Sequence, residues 1–482
     1  MSFENDFLLR LVDIVGADHV KTDVRDFAPK LTDNRKRYHG NVTCAVFPAT
    51  TGEVSRVLTL AHEFGAYIFA QGGNTSNVAG ATPVYADQTH LSVLLSTDRM
   101  RRIEKIDAVN DTAVVQAGVV VEDLQNAAKE KNRLFAVSLA AQGSCTVGGI
   151  LATNAGGVHV LYYGNSREQC LGLEVVLYDG RVLNLMRGLR KDNTGYDLKD
   201  LLVGSEGTLG VITRAVVKLW PRPVRRVVTF VSIDNTQGLP KVFNSLHEAL
   251  SSNLTAFEVM HVDTLKHVAK VHPEITQGID LSSQWYALVE LSFFNETDAD
   301  SAIETLTDVL SPLFETGTVT DAVIGQSEAQ NEALWRIRES IPEAHKATGG
   351  NVKHDISVPR SVLADFVETT NAELKAAFPW IKPSVFGHFG DGNLHYNMGV
   401  VEGAELKTVF EHEEEIHAVV YRNIARFNGS VAAEHGVGRM KKNLLKTVKS
   451  DVEYCVMQEI KAVFDPENIL NPESLISHNQ NR

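Results

Sequence analysis

The sequence lacks the fingerprints of two common nucleotide-binding loops. Neither GxGxxG after a strand nor GxxxxGK[ST] occurs in the 482 residues, which disfavours a Rossmann dinucleotide site and a P-loop. Cysteines are also few, and Cys44, Cys145, Cys170 and Cys455 contain no CxxC spacing. Their scatter excludes a zinc-finger or disulfide framework and indicates buried free thiols in a reducing compartment.

Long apolar runs and excess positive charge are absent as well. No window approaches 18 uninterrupted apolar residues, so we expect no membrane span. The opening stretch carries Glu4, Asp6 and Asp13 where a leader peptide would be basic, and we interpret it as an ordinary helix of a cytoplasmic protein. Lys+Arg 46 against Asp+Glu 60 gives a net charge of -14, which excludes a general nucleic-acid footprint.

What is present is an alternation of strand and helix signals along a chain that is long enough for several domains. Thr50 and Glu53 form a predicted capping box before an amphipathic helix, and the next strand, Tyr67 to Ala70, suggests a βαβ start. Prolines at 221 and 223 indicate a domain boundary, and further strands alternate with helices beyond them. The pattern predicts an α+β fold divided at 1–222, 223–430 and 431–482, with a mainly helical end.

Three glycine-rich segments form the first cluster of candidate functional residues. The first is QGGNTS at 71–76, the second is AQGSCTVGGILATNAGG at 141–157, and the third is VGSEGTLGVIT at 203–213. Backbone N–H groups in such turns can converge on a diphosphate without many cations, which points to an anionic cofactor. The structural alternative is that all three are simply turns of a sheet.

The second cluster contains HFGDGNLHYN at 388–397 and AAEHGVGRMKK at 432–442. His388, His395 and Glu434 would offer two imidazoles and a carboxylate, a set that suits zinc or another first-row divalent ion, and His435 stands beside the carboxylate. A histidine alone is more often a satisfied polar residue, but four such groups among glycine-rich turns favour a site.

With these motifs in order, the chain resembles the FAD-linked oxidoreductases of the vanillyl-alcohol oxidase and p-cresol methylhydroxylase (PCMH) type. The resemblance implies a two-subdomain PCMH-type FAD-binding domain over 1–222, an α+β substrate or cap domain over 223–430, and a C-terminal segment that packs back on the FAD domain. The first loop has no histidine and Cys145 is the only loop thiol, so we expect noncovalent FAD. The resemblance gives the pyrophosphate and the flavin the following residues: Gly72, Gly73, Asn74, Thr75 and Ser76, then Gly143, Thr146, Gly148, Gly149, Asn154 and Gly157, then Glu206, Gly207 and Ile212.

The second cluster is similar to that of the D-2-hydroxyacid dehydrogenase branch, which includes D-2-hydroxyglutarate and D-lactate dehydrogenases, and the similarity runs to the terminal FDPENILNP. It implies that His388, His395 and Glu434 bind a divalent metal ion, with zinc as the first candidate. By the same resemblance His435 is the catalytic base and Asn397 lies next to the substrate. The expected reaction removes the hydroxyl proton and transfers the Cα hydride to flavin N5, which leaves a 2-oxo acid.

A carboxylate substrate also requires cations, and Arg338 and Lys353 are the candidates. In the hydroxyglutarate enzymes a hydroxyl residue follows the arginine by four positions, whereas this chain has Pro342 there. We expect D-2-hydroxyglutarate ahead of D-lactate, with a glycolate oxidase-like subunit as a further alternative. If Arg338 has only a structural role, its expected partner is Glu339 or another neighbour in a surface ion pair.

The electron acceptor implied by the resemblance is an electron-transfer flavoprotein or a quinone-linked carrier rather than NAD. The oligomeric state is open, with a homodimer as one candidate. A basic run that follows the second cluster is interpreted as a solvated helix face: Arg439, Lys441, Lys442, Lys446 and Lys449. Two hypotheses of other classes are a flavin-free metal hydrolase and a flavoprotein that binds without catalysing.

Overall fold

A computed structural model of the chain describes residues 2–87 and 89–477. The chain folds into two compact units. Unit 1 comprises Met1–Gly157, Gly164–Pro221 and Glu434–Arg482, and unit 2 comprises Val158–Tyr163 and Arg222–Ala433. The domain boundaries at 222/223 and 430/431 that the sequence suggests stay a prediction.

The helices, numbered in chain order, are α1 (Phe3–Val15), α2 (Thr51–Phe64), α3 (Val121–Glu130), α4 (Val147–Thr153), α5 (Val160–Tyr163), α6 (Ser166–Gln169), α7 (Leu198–Leu202), α8 (Gly238–Leu250), α9 (Val262–Val271), α10 (Glu296–Asp300), α11 (Ala302–Glu315), α12 (Glu328–Glu339), α13 (Ile341–Ala347), α14 (Leu363–Ala377), α15 (Lys407–Glu411), α16 (Glu413–Arg426), α17 (Leu445–Val448) and α18 (Asp451–Phe464).

The strands, numbered in the same way, are β1 (Val20–Lys21), β2 (Cys44–Val46), β3 (Tyr67–Gln71), β4 (Ser92–Ser96), β5 (Ile103–Asp107), β6 (Thr112–Gln116), β7 (Arg133–Leu134), β8 (Cys170–Val176), β9 (Val182–Leu185), β10 (Val211–Lys218), β11 (Trp220–Pro221), β12 (Arg225–Ile233), β13 (Leu254–His261), β14 (Trp285–Phe293), β15 (Val319–Ile324), β16 (Asp355–Ser357), β17 (Ile381–His388) and β18 (Asn393–Val400).

The first sheet of unit 1 contains the βαβ start that the sequence suggests. Its strand order is β1-β2-β4-β3, and β2 and β3 both run parallel to β4. Helix α2 connects β2 to β3 and buries Val54, Val57, Leu58 and Ala61 at the helical spacing predicted for them. The first glycine-rich segment therefore begins where β3 ends, at Gln71.

The cap of helix α2 differs in one half from the predicted box. The Thr50 side chain accepts from the Glu53 N–H, as expected. The Glu53 carboxylate instead accepts from the N–H of Ala49, one residue before the cap. Both contacts still satisfy donors at the helix entry, so the start of the helix is unchanged.

The second sheet of unit 1 is antiparallel, with the order β5-β6-β10-β8-β9. Its apolar face packs on helices α3 and α4 in a core that includes Val115, Leu124, Leu151 and Ala215. The second glycine-rich segment runs into α4, and the third runs into β10, so both end on this sheet layer.

Unit 2 is built on one sheet with the order β15-β12-β14-β13-β17-β18-β16, and every pairing in it is antiparallel. One face carries helices α9, α12 and α13 over a core that includes Phe230, Met260, Leu288 and Trp335. Strand β14 is buried along its whole length and β12 is buried from Val227 onward, in keeping with the apolar residues that predominate in these stretches.

Two expectations from composition can be compared with the structure. All four cysteines are free thiols, but only Cys44, Cys145 and Cys170 are buried. The prediction of buried thiols is wrong for Cys455, which lies exposed on α18. Among the described residues no helix has both the length and the apolar composition needed to cross a membrane.

Candidate active site

The first two glycine-rich segments pack directly against each other in unit 1. A Cβ atom added at Gly73 would lie 2.0 Å from the carbonyl oxygen of Ser144, and one added at Gly72 would lie 2.2 Å from Oγ1 of Thr146. Real Cβ contacts are essentially never this short, so only glycine allows this approach. The structure thus brings together two of the segments that the sequence nominated for one anionic cofactor.

Side chains of the first segment hold the loop itself. The Asn74 amide donates to the carbonyl of Thr32 at 2.9 Å, and the Ser76 hydroxyl accepts from the N–H groups of Val78 and Gly80 at 3.2 Å. Thr75 is half-buried. Because the Asn74 and Ser76 side chains are already engaged, backbone N–H groups are the expected donors for a pyrophosphate in this loop.

In the second segment, too, side chains form local hydrogen bonds that hold the backbone in place. Thr146 caps α4, since its hydroxyl accepts from the N–H of Gly149 at 3.3 Å. Asn154 ends that helix in the left-handed conformation, and its Oδ1 accepts from the N–H of Arg167 at 2.9 Å. Gly148 lies so close to Ala117 that a Cβ would come within 2.7 Å of it. These residues shape the segment, and their contact with a flavin stays a prediction.

The remaining flavin candidates lie at different depths. Gly143 is at the edge of the segment near Glu122, and a Cβ added there would be 3.2 Å from Oε2 of that residue. Gly207 adopts a φ of 73°, a turn conformation that favours glycine, and Ile212 belongs to the apolar core of the second sheet.

Burial raises the pKa of the Cys145 thiol to about 11, so it stays protonated and a poor nucleophile near neutral pH.

Glu206 of the third segment is buried, and its carboxylate accepts hydrogen bonds from the backbone of a loop that is distant in sequence. Oε1 accepts from the N–H of Val437 at 2.8 Å, and Oε2 accepts from the N–H of Gly438 at 2.7 Å. Burial raises the pKa of Glu206, and the two N–H groups oppose that shift. Gly436 has a φ of 76°, and a Cβ there would lie 2.7 Å from Oε1, so the loop needs glycine at this point.

That loop, residues 434–438, carries the predicted catalytic base and is here called the Glu-His loop. Its other end is also tied to a flavin candidate, because Oε1 of Glu434 accepts from the N–H of Gly157 at 2.8 Å. His435 therefore stands between two anchors, one on the second glycine-rich segment and one on the third. Unit 1 by itself brings His435 to the segments that the sequence assigned to the flavin.

Within unit 2, the two predicted metal-ligating histidines are adjacent. They sit on β17 and β18, which are joined by a tight turn in which Gly392 has a φ of 82°. The ring centroids of His388 and His395 are 5.5 Å apart, and Phe386 pairs with His395 across the hairpin. Glu434 follows directly after Ala433, the last residue of unit 2.

A functional candidate that the sequence reasoning missed is Glu258 on β13. It is fully buried and accepts from Nε of Arg338 at 2.7 Å while its other oxygen lies 2.5 Å from Nδ1 of His388. Burial would raise the pKa of Glu258, but His388 and Arg338 hold it below its usual value. A single glutamate inside the apolar strand sequence LTAFEVMH was the available signal.

The three candidates for substrate binding differ in exposure. Arg338 is only 7% exposed and pairs with Glu258, so the expected alternative of a surface pair with Glu339 is wrong. Lys353 is exposed, and Asn397 is buried with its Oδ1 accepting from the N–H of His354 at 3.2 Å. All three belong to unit 2.

The basic run after the Glu-His loop is not a uniform solvated face. Arg439 is largely buried and donates to the carbonyls of Thr82 and Pro472 and to Asn471. Burial lowers the pKa of Arg439 to about 10, although nearby Glu473 and Glu206 favour its charged form. The interpretation of Arg439 as a solvated residue is wrong, because it joins separate chain segments of unit 1.

Comparisons with known proteins find similarity along nearly the whole chain. A family model described as an FAD binding domain matches residues 42–186, and one described as the C-terminal domain of FAD linked oxidases matches residues 222–475. The protein is similar to D-2-hydroxyglutarate dehydrogenase, mitochondrial, of Bos taurus, with 37% identity over 97% of this chain and 83% of the relative. It is also similar to D-2-hydroxyglutarate dehydrogenase of Xanthomonas citri pv. viticola, with 34% identity over 97% of this chain and 96% of the relative.

Solved structures support the fold. The chain superimposes on p-cresol methylhydroxylase with substrate bound at a TM-score of 0.74, covering 99% of this chain and 98% of that one at 17% identity. The predicted α+β fold with an FAD-binding domain of the p-cresol methylhydroxylase type is confirmed. With both family models matched in order along the chain, this protein belongs to the FAD-linked oxidase family and is an FAD-linked oxidoreductase.

Proposed function

We propose that this protein is an FAD-dependent dehydrogenase that oxidises a D-2-hydroxyacid, with D-2-hydroxyglutarate as the preferred substrate and 2-oxoglutarate as the product. The observation that carries the proposal is the double anchoring of the Glu-His loop to Gly157 and Glu206. It ties a candidate base to the cofactor segments of an FAD-linked oxidoreductase. The names of the bovine and Xanthomonas relatives support the choice of substrate.

The cofactor segments fit a noncovalent dinucleotide. Gly72 and Gly73 let two loops meet with their backbones close together, and the loop side chains are engaged in local contacts. Such loops bind a diphosphate through N–H groups, as a helix terminus or a nest does. FAD, when bound, supplies the two-electron acceptor that takes the substrate Cα hydride at N5.

His388, His395 and Glu434 would hold a divalent ion, with zinc the first candidate. The donor set supports this assignment, because two imidazoles and one carboxylate match the usual ligands of zinc. His388 contacts Glu258 through Nδ1, which leaves Nε2 as its ligand atom. Such an ion, when bound, lowers the pKa of a substrate hydroxyl that it contacts.

His435 accepts the hydroxyl proton as the Cα hydride departs, so the substrate loses one proton and one hydride and becomes a 2-oxo acid. Arg338 and Lys353 bind substrate carboxylates. The contact of Arg338 with Glu258 uses Nε, so its terminal nitrogens can form a two-point contact with a carboxylate. Asn397 fixes the substrate orientation by a hydrogen bond.

D-lactate is the second candidate substrate, and Pro342 is the observation that favours it. This proline stands in the first turn of α13, where the resemblance to the hydroxyglutarate enzymes implies a hydroxyl residue for a distal carboxylate. Lactate has no distal carboxylate and so does not need that hydroxyl. A Pro342→Thr variant should shift the preference further toward D-2-hydroxyglutarate.

An electron-transfer flavoprotein or a quinone-linked carrier would serve as the electron acceptor of the bound FAD. The name of the bovine relative places that relative in mitochondria, and a cytoplasmic address for this chain stays a prediction. A homodimer likewise stays a prediction.

Anaerobic mixing with D-2-hydroxyglutarate, D-lactate and their L-isomers tests the function directly. We expect rapid loss of oxidised-flavin absorbance with D-2-hydroxyglutarate, slower loss with D-lactate and none with either L-isomer. Faster bleaching by D-lactate would transfer the proposal to the second substrate. A failure of every D-isomer to bleach the flavin would contradict the proposed reaction class.

A further inference from the structure

Glu258 is a buried acid to which the proposed chemistry gives no role. It lies on β13 directly opposite His388 on β17, in the antiparallel register that pairs these two strands. Its two oxygens face different partners, His388 through Nδ1 at 2.5 Å and Arg338 through Nε at 2.7 Å. One carboxylate therefore touches a proposed metal ligand and a proposed substrate-binding residue at the same time.

The contact with His388 selects the tautomer of that ring. A carboxylate paired with an arginine is an acceptor, so Nδ1 of His388 must donate the proton. In the neutral imidazole the lone pair is then on Nε2. An outer carboxylate of this kind both aims a histidine and raises its basicity toward a metal.

The contact with Glu258 also fixes the orientation of the Arg338 guanidinium. Its guanidinium carbon lies 4.7 Å from the centroid of the Phe386 ring, and the same ring lies 4.8 Å from that of His395. Arg338 is thus held on one side by Glu258 and on its face by an aromatic ring. Since one nitrogen is committed to Glu258, the orientation of the other two follows from the fork geometry.

We propose that Glu258 is a positioning residue that orients His388 toward a divalent ion and Arg338 toward a substrate carboxylate. The proposal rests on the function proposed above and adds a physical link between its metal and its carboxylate contacts. Glu258 does not itself touch the reacting atoms.

A substitution by glutamine separates this role from simple burial. Both partners are donors, and glutamine offers only one acceptor oxygen while its NH₂ group must face the other partner. Either His388 adopts the tautomer with its lone pair on Nδ1, or Arg338 loses its acceptor. The side-chain volume hardly changes.

Glu290 supplies a matched control in the same sheet. It is equally buried, accepts from Nε1 of Trp335 at 2.9 Å, and pairs with His159 at 3.1 Å. It has an arginine partner as well, Arg226. These partners are proposed for neither metal nor substrate, so E290Q reports the cost of altering a buried glutamate network alone.

The experiment compares the FAD-bound wild type, E258Q and E290Q after chelation and titration with zinc. We expect E258Q to bind zinc about 10- to 100-fold more weakly than the wild type, the range known for outer carboxylates. FAD content should stay equal in all three proteins, and E290Q should bind zinc like the wild type. In stopped-flow mixing, E258Q should also raise the substrate concentration at half-maximal bleaching rate.

Unchanged zinc affinity in E258Q would overturn the proposal, and so would an equal loss in E290Q. A wild type that binds no zinc, or binds it as well after His388→Ala, would instead contradict the proposed metal site. If E258Q loses its FAD, E258D keeps the charge with a shorter reach. It should then bind zinc more weakly than the wild type, and wild-type affinity in E258D would also overturn the proposal.

Discussion

The position of His435, the proposed base, is fixed by hydrogen bonds of the residues around it. His435 lies in the Glu-His loop, which is anchored on both sides of this residue. Glu434 accepts a hydrogen bond from Gly157, and Val437 donates one to Glu206. If His435 is the base, as proposed, this anchoring reduces the entropy that is lost when the base and the substrate are brought into the reacting geometry.

The variant His435→Ala tests whether this histidine is the catalytic base. We expect the rate of anaerobic flavin bleaching to fall by about 100- to 10,000-fold, since a positioned base contributes that factor. The FAD absorbance of the resting protein should not change. His247→Ala is the control, because this histidine is exposed on α8 and should leave the rate within about two-fold. A wild-type bleaching rate in His435→Ala would show that another group takes the proton.

The second prediction concerns pH and His345. This residue is buried on α13, and its Nε2 lies 2.7 Å from the hydroxyl of Ser384. Burial lowers the pKa of His345 to about 3, with His267 and Lys353 adding to the shift. The unfolded chain takes up a proton near pH 6.5 that the folded chain refuses, so this residue makes unfolding easier as the pH falls from about 6.5 toward 3.

The measurement is urea unfolding of the wild type and His345→Gln at pH 7.5 and pH 5. Glutamine keeps a hydrogen-bonding group toward Ser384 and does not titrate. Between these pH values the wild type should lose about 2 kcal/mol more unfolding free energy than the variant, from about 1.4 kcal/mol per pH unit below about 6.5. Parallel losses in the two proteins would show that His345 titrates normally in the folded chain.

At the scale of elements, helix α18 connects the C-terminal end of the chain to the third glycine-rich segment. Lys461 is buried on this helix and donates to the carbonyls of Thr208 and Leu470 at 2.8 and 3.0 Å. It also pairs with Asp465, which is fully buried. The helix thereby supports the backbone from which Glu206 extends.

We therefore predict that Lys461→Met destabilises this support. The change leaves Asp465 as an uncompensated buried charge, which costs about 3 to 5 kcal/mol of unfolding free energy. FAD should also dissociate at a lower temperature. Urea unfolding measures the loss of free energy, and the fluorescence of released flavin during heating measures the dissociation. Lys449→Met is the control, because it removes only an exposed pair with Glu453 and should shift the transition little. A control and a variant that melt together would contradict the prediction.

Elements were predictable where the signal is local. Helix α2 and strand β3 follow from apolar spacing within about a dozen residues, and the structure confirms them. The reciprocal half of the cap at Thr50 was not predictable, because the Glu53 carboxylate bonds to the N–H of Ala49, and the residue spacing does not distinguish this donor from the N–H of Thr50. Arg439 was wrongly predicted to be solvated. The residues that bury it come from distant segments of the chain, around Thr82 and Pro472.

At the scale of the whole molecule, the prediction is that flavin and metal can be removed separately. The FAD candidates belong to unit 1, whereas His388 and His395 belong to unit 2. Prolonged chelation should abolish most turnover with D-2-hydroxyglutarate while the protein keeps its yellow FAD, and added zinc should restore the rate. The measurement pairs metal analysis with the bleaching rate. Full activity in metal-free protein would contradict the role of the ion.

The family and the glycine-rich segments could be predicted from the amino-acid sequence alone, and most of the candidate site residues were nominated from it. These features are carried by short contiguous motifs, in which a glycine or a histidine has its meaning from its immediate neighbours. The same is true of the amphipathic helices and of the absence of a Rossmann fingerprint.

The partners of the buried charges, by contrast, depend on how distant parts of the chain pack together. Glu258 meets Arg338 from 80 residues away and His388 from 130 residues away, through the register of β13 and β17 and the packing of α12. Glu206 reaches the Glu-His loop across 231 residues. A charge buried in an apolar element must find a partner, but its local sequence does not specify which distant strand or loop supplies it.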